Sequence, residues 1–459
     1  MRGRLAVVGG GLAGITAALG CADAGYDVTL FEARPRLGGL THSFQRDGLW
    51  VDNGQHVFLR CCTSYLALLE RLGVADQVVL QPRLDVPVRS GEHTGVGRLR
   101  RTALPAPLHL GAALARYRWL TPGERARVIT AALALGRVDR TDASVDGRSF
   151  GDWLARHGQS DRAVEAVWDL IGVATLNAPA AEASLALAAT VFQIGLLQHA
   201  DAADIGWSRV PLQQLHGDAA ARALAGAGAA VRVRERVRAL DPDDGGWLVT
   251  TDDSTAPYDD VVLATPPGTT EALLPDGAVD LEPGWSGRLG ASPIVNVHIV
   301  LDRPVLDTSF VAAVDSPLQW VFDRTPQAGL ADGQYLALSL SAADALVERP
   351  VAEIRDLVLP ALRRLLPASA DAQVKEFFVT REPRATFRPA PGSGRWRPPA
   401  RTRLPGLHLA GAWTDTGWPA TMEGAARSGE AAVASVRGSA GRGRVGSLPR
   451  AATPRAVAR

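Results

Sequence analysis

Lysine, cysteine and methionine are scarce in this chain of 459 residues: there is one lysine, Lys375, with three cysteines and two methionines. Cys21, Cys61 and Cys62 form neither a metal-ligand spacing nor an even disulfide framework, so no metal is expected and a reducing, cytoplasmic setting is the simplest. Adjacent Cys61 and Cys62 would make a strained disulfide, and they read as two small residues of a helix. Charge of one sign is missing too. A net charge of +1 with 21% charged residues leaves no basic footprint for nucleic acid. The longest apolar run, Leu185–Leu197, is broken by Gln193 and falls short of the ~20 residues of a spanning helix. No secretory leader is expected, because the apolar run after Met1-Arg2-Gly3-Arg4 ends at glycines.

Glycine, in contrast, is abundant, and it clusters where it carries chemistry. Residues 4–39 read as a complete βαβ unit. Leu5–Val8 is a buried strand, Gly9, Gly11 and Gly14 give G-x-G-x-x-G, Ile15–Ala24 is an Ala-rich helix, and Val28–Phe31 is a second strand ending at Glu32. Gly9 permits the tight turn, Gly11 lets the backbone approach a pyrophosphate, and Gly14 lets helix and strand pack closely. The helix N-terminus offers free N–H groups to phosphate. Glu32 is placed to accept the ribose hydroxyls of an adenosine.

A second segment selects the dinucleotide. Arg36-Leu37-Gly38-Gly39-Leu40-Thr41-His42-Ser43 fits R-x-G-G-x-x-x-S. Gly38 and Gly39 give another close backbone approach, and Arg36 can neutralise phosphate. The pattern resembles the two-glycine FAD signature of flavin amine oxidases, protoporphyrinogen oxidases and carotenoid desaturases, and FAD is the expected cofactor.

The fold expected is α/β: a Rossmann-like FAD-binding domain built from discontinuous segments, 1–84, 215–275 and 400–436, with an α+β substrate domain from 85–214 and 276–399. Val231–Arg236 and Trp247–Thr251 read as two strands around an Asp241–Gly246 turn, and Asp260–Thr265 and Leu407–Gly411 as short buried strands. Helices are expected at Arg125–Leu135, Ser184–Leu197 and Val351–Leu366, and strands at Ile294–Leu301 and Tyr335–Ser339. Residues 437–459, rich in arginine and without acids, read as a disordered basic tail. A solvated tail is the preferred reading, with peripheral contact of its positive charge with the inner face of a membrane as the alternative.

Two further clusters are dense in polar groups. Val51–Leu59 reads as strand-turn-strand, with Gly54 close to the flavin ring, Gln55 beside it, and His56 as a site residue that Asp52 could orient. The second runs from Gly406 to Gly429. A strand ends at Gly411, a loop carries Asp415, and a helix starts near Thr421 and Met422, its N–H groups aimed at the flavin. Val237 completes the candidate cofactor contacts. No cysteine lies in this loop, so FAD should be non-covalent.

With these clusters together, the chain resembles the hydroxysqualene dehydroxylases, squalene-associated flavoproteins within the phytoene desaturase and amine oxidase superfamily. The segments that carry the resemblance are GGGLAG…FEARPRLGG, VDNGQHVFLRCCTSYLALLERLG at Val51–Gly73 and LHLAGAWTDTGWPATMEGAARSG at Leu407–Gly429, with Arg384-Ala-Thr-Phe387 and the Pro-rich 389–399. One departure is Ala412, where the family usually has an acid that helps hold the cofactor; Asp415 is the candidate replacement. The resemblance implies an amine-oxidase-like fold and a reaction of hopanoid biosynthesis, in which reduced FAD and hydroxysqualene give squalene, water and FAD. It also implies a long apolar isoprenoid as substrate, and neighbouring squalene-pathway enzymes as partners. Loss of an allylic hydroxyl needs an acid and a dry apolar tunnel. His56 is the first candidate acid and Glu423 the second. Leu185, Leu187, Val191, Phe192 and Leu196 are candidates for the tunnel wall. A desaturase, an amine oxidase (disfavoured by 6% aromatic residues) and a flavin-bound scaffold for isoprenoid enzymes remain as alternatives.

Overall fold

The computed structural model describes residues 3–440. At its centre lies a parallel sheet of five strands in the order Ala230–Val233, Asp27–Glu32, Arg4–Val8, Asp260–Leu263, Leu407–Leu409. The central strand is apolar at every position from Leu5 to Val8 because both faces of the sheet are covered. Leu5 and Val7 pack with the helices, while Ala6 and Val8 pack with Trp247, Val249 and Tyr258. Those three residues belong to the antiparallel strands Val237–Asp243, Gly246–Thr251 and Thr255–Tyr258.

The helix Leu12–Asp23 and the C-terminal helix Met422–Ala440 lie against one another. Their approach depends on glycine. A Cβ on Gly429 would stand 2.6 Å from the Ala13 carbonyl oxygen, and one on Gly20 would stand 2.7 Å from Val433. Helices this close pack backbone to backbone.

The second large sheet has seven strands, in the order Val374–Thr386, Ser292–Leu301, Gln334–Ser341, Trp320–Asp323, Phe310–Val314, Asp85–Ser90, Val96–Arg100. One face packs on the amphipathic helix Val351–Leu365 through Ile354, Val358 and Leu362. A three-stranded sheet, Val57–Leu59, Ile205–Ser208 and Val78–Leu80, stands beside it.

Several expectations need correction. The strand opposite Trp247–Thr251 is Val237–Asp243, not Val231–Arg236; the chain breaks at Arg234, whose φ is +60°, and Ala230–Val233 joins the parallel sheet instead. Cys61 and Cys62 are not helical. They form the turn before the helix Thr63–Arg71, with Cys62 at its N-cap. The helix expected at Ser184–Leu197 continues past Phe192 in a wider, π-helical turn, Gln193–Leu197. Its Leu185, Leu187, Val191, Phe192 and Leu196 pack with Phe150, Trp153 and Trp168 in a core, so they line no open tunnel. Arg437–Ala440 continue the C-terminal helix, and the rest of the expected tail lies outside the described residues.

Candidate functional site

The glycines of the first turn differ in what surrounds them. Gly9 has φ +112°, and a Cβ there would lie 2.5 Å from the Ala264 carbonyl oxygen. A Cβ on Gly14 would overlap the carbonyl oxygen of Gly9. Gly11 is different: its Cβ would meet only the Gly39 Cα, at 3.8 Å. Gly9 and Gly14 therefore close the turn, and Gly11 faces open space across from the second glycine pair. Gly39 has φ +56° and Gly38 φ +104°, and the Gly38 N–H donates to the Gly10 carbonyl at 2.9 Å. The two glycine segments thus form one cradle. The first turn of the helix that opens there has no side-chain cap.

Glu32 ends its strand with each carboxylate oxygen held by one N–H, from Gly10 and from Arg34, both at 2.7 Å. Each oxygen keeps a lone pair for a ribose hydroxyl. Arg36 is half-buried and donates weakly to the Gly39 carbonyl at 3.5 Å. Among the described residues it forms no ion pair, and burial followed by the charge of Arg34 lowers its pKa. An unpaired guanidinium, exposed helix N–H groups and an open Gly11 fit a pyrophosphate. Arg234 and Glu235 bond back to the carbonyls of Arg34 and Glu32 at 2.9 and 3.0 Å. This brings Val237, which is buried, alongside the end of the same strand.

The third segment closes the site from the C-terminal side. Gly411 has φ +140°, and its N–H donates to Ser428 Oγ at 2.8 Å. Thr421 Oγ1 accepts the N–H of Gly424 at 3.0 Å and caps the C-terminal helix, whose first residue, Met422, is buried. Asp415 is exposed, and its carboxylate acts on Arg397 only through space. Among the described residues its carboxylate makes no hydrogen bond or ion pair, so no contact here marks it as the replacement for the missing acid at Ala412.

Sequence reasoning missed Arg397. It is 6% exposed and donates to the carbonyls of Thr414 and Trp418 at 2.6 and 2.7 Å, with its guanidinium 4.6 Å above the Phe387 ring. Burial pulls its pKa down to about 10. It therefore fixes the loop after Gly411. The chain has many arginines and nothing local marks this one as buried.

The two candidate acids change their reading. Glu423 is fully buried, but its carboxylate is occupied. It accepts the N–H groups of Ser64 and Tyr65 at 3.3 and 2.8 Å and pairs with Arg427 at 2.6 Å. It caps the helix Thr63–Arg71, which gives its carboxylate a structural task. His56 is embedded, with only part of the residue reaching the surface, and burial lowers its pKa to about 4 against the pull of Asp52. At neutral pH it is an uncharged imidazole. Asp52 does not orient it. Its carboxylate is taken by Ser43 Oγ at 2.6 Å, the Leu212 N–H at 3.0 Å and Arg324 at 2.7 Å.

Around Gly54 further polar groups converge. A Cβ there would lie 3.4 Å from both His56 Nε2 and Asn296 Nδ2. Gln55 Nε2 and Asn296 Oδ1 are buried without hydrogen-bond partners among the described residues. His216, on the π-helical turn Gln213–Asp218, meets Tyr65 Oη at 2.8 Å through Nε2. The orphaned Gln55 Nε2 donor, next to Gly54, fits a heteroaromatic ring with acceptors of its own.

A two-glycine dinucleotide cradle joined to a mixed seven-stranded sheet defines a flavoprotein of the oxidoreductase class. Residues 12–437 match the family described as flavin containing amine oxidoreductase, and the chain belongs to that family. It is 28% identical over 438 residues to a hydroxysqualene dehydroxylase of Rhodopseudomonas palustris, covering 93% of this chain and 96% of that protein. It is 27% identical over 456 residues to a 15-cis-phytoene desaturase of Capsicum annuum, covering 93% and 76%. Among solved structures it shares the fold of a cyclohexylamine oxidase from Brevibacterium oxydans, with a TM-score of 0.72 at 17% identity, covering 96% and 100%.

Proposed function

We propose that this protein is an FAD-dependent oxidoreductase that removes the hydroxyl of hydroxysqualene or a similar isoprenoid alcohol to give the hydrocarbon. The end-to-end match to the dehydroxylase of Rhodopseudomonas palustris carries the reading. Gly9, Gly11, Gly14, Glu32, Arg36, Gly38 and Gly39 hold the cofactor's adenosine and pyrophosphate, without a covalent link. Bound, reduced FAD supplies two electrons as hydride. The C–O bond of the alcohol breaks, the oxygen leaves as water with an added proton, and a C–H bond replaces it. The chain's part is to bind the alcohol, exclude water and keep the surroundings of the reacting carbon apolar. His56, neutral at pH 7, contributes a ring N–H or lone pair and not an imidazolium.

An apolar substrate of this length is delivered from lipid, so peripheral contact with a membrane belongs to the reading. Among the described residues no helix is long and apolar enough to cross a membrane. Anaerobic incubation of the purified protein with hydroxysqualene and reduced FAD tests the proposal: squalene is the expected product. The 27% identity to phytoene desaturase favours a second reading, desaturation by oxidised FAD. Conversion of a carotenoid precursor, with hydroxysqualene untouched, would establish that reading instead.

A further inference from the structure

Both faces of the seven-stranded sheet are covered, one by a helix and the other by a core that holds Phe310, Phe322 and Trp168. Val295, Val297, Val321 and Leu338 are sealed against the helix Val351–Leu365. On the two central strands only Ile294 and Ser339 are partly exposed. Both lie on the opposite face, since Ile294 precedes Asn296 by two residues and Ser339 pairs directly with Asn296. Trp320 pairs with Ser339 from the other side and is also partly exposed. Asn296, Ser339 and Trp320 thus form one row across three strands, with ~4.8 Å between neighbours. Partial exposure at Ile294, Ser339 and Trp320 marks looser packing over a sheet that is otherwise buried.

The row has a polar end. Asn296 is fully buried. Its Nδ2 donates to the Asn53 carbonyl at 3.2 Å, which fixes the amide, because the flipped form would set two acceptors together. Its Oδ1 then has no donor among the described residues. The amide lies against Gly54, across from His56 Nε2. A buried acceptor without a donor is costly unless a ligand provides one. At the other end, Trp320 stands with Phe310 and Phe322 at ring-centroid distances of 5.9 and 6.2 Å, an aromatic wall suited to an unsaturated chain.

We propose that Asn296 Oδ1 accepts the hydroxyl hydrogen of the substrate, setting the carbinol over Gly54 with the isoprenoid chain running past Ser339 to Trp320. The inference rests on the dehydroxylase reading and adds to it the residue that separates alcohol from hydrocarbon. Squalene lacks the donor that Asn296 needs, whereas the alcohol has one. With its hydrogen given to Asn296, the carbinol oxygen keeps its lone pairs free to take the proton that makes it a leaving group.

The test is titration of the oxidised holoenzyme with hydroxysqualene and with squalene, followed by flavin difference spectra. Asn296→Ala should raise the Kd for hydroxysqualene about tenfold, the worth of one hydrogen bond, and leave that for squalene within about twofold. Asn296→Ser, which withdraws the acceptor but keeps a polar residue, should do the same if the alanine variant folds poorly. Thr380→Val removes the neighbouring bond to the Asn53 carbonyl, 3.1 Å long, and the bond to His298 Nε2 at 3.0 Å while leaving the Asn296 amide in place, and should spare both ligands. Equal weakening of both ligands by Asn296→Ala, or the same selective loss in Thr380→Val, would overturn the assignment. Loss of FAD with hydroxysqualene affinity unchanged per bound flavin would give the acceptor to the cofactor and also overturn it. Failure of the wild-type protein to bind or convert hydroxysqualene would instead bring down the dehydroxylase reading, and this inference with it.

Discussion

Asp52 and Arg324 meet at 2.7 Å with each side chain only 7% exposed. The carboxylate ends the strand Leu49–Asp52, the second after the glycine pair 38–39, and the guanidinium comes from the loop after the strand Trp320–Asp323. The pair therefore fastens the cofactor segment to the seven-stranded sheet. Two buried charges are tolerable here because Ser43 Oγ and the Leu212 N–H complete the shell of Asp52, and the Ser208 carbonyl accepts from Arg324.

Breaking that pair from one side should be costly. Asp52→Asn leaves Arg324 charged and buried, and the unfolding free energy should fall by about 3–5 kcal/mol. Asp52→Asn combined with Arg324→Gln should cost less than the sum of the two single changes. Urea denaturation of the three variants measures this, and additive losses would show that the pair is not coupled.

Glu32→Ala should weaken FAD binding far more than Asp415→Ala. Hydrogen bonds to a charged acceptor contribute about 1.5–3 kcal/mol, and Glu32 also holds the N–H groups of Gly10 and Arg34. Asp415 is exposed, so its removal should change affinity by less than about twofold. Flavin titration of the apoprotein ranks the two, and a comparable loss with Asp415→Ala would restore it to the cradle.

Glu423→Gln should lower stability by roughly 2–4 kcal/mol, because the ion pair of this buried carboxylate with the partly exposed Arg427 and a helix cap are weakened together. Turnover per bound flavin should stay within about twofold. A selective collapse of turnover, with Tm unchanged, would return Glu423 to the chemistry.

The buried histidines set a pH limit on the fold. Burial lowers His56 to about 4, and His216 and His298 to about 3, while in the unfolded chain each takes its proton near ~6.5. Between these values the unfolded state binds more protons, so stability rises with pH. The contribution is complete above ~6.5 and is lost as pH falls toward 4 and then 3. Urea midpoints measured from pH 7.5 down to 4.5 should decline, and less steeply in His298→Leu. NMR titration should find His56 unprotonated above pH 5.

Much of the cofactor half was legible because its signals are local. G-x-G-x-x-G, the acid at 32 and the glycine pair at 38–39 each depend on backbone geometry within a few residues. The strands Asp260–Leu263 and Leu407–Leu409 were legible as short apolar runs for the same reason. What escaped depends on partners far along the chain. Nothing near Glu423 shows that the N–H groups of Ser64 and Tyr65 will occupy it, and nothing near Asp52 points to Arg324. The helical core at Leu185–Leu196 has the same apolar pattern that a tunnel wall would have, and only its neighbours Phe150 and Trp168 decide between them. Asn296 sits in an apolar strand as its one amide, a signal that becomes readable only when Gly54 is seen beneath it.

The order of strands in the parallel sheet has a consequence for synthesis. The first strand to leave the ribosome, Arg4–Val8, is flanked by Asp27–Glu32 and Asp260–Leu263, and the edge Leu407–Leu409 comes last. At about 5–20 residues per second, roughly 20–75 s separate the emergence of Glu32 from that of Leu409. Throughout that interval the glycine turn exists without the helix whose close approach Gly429 and Gly20 allow. A nascent chain arrested before Met422 would therefore hold the whole nucleotide signature and still lack the helix that packs against Leu12–Asp23.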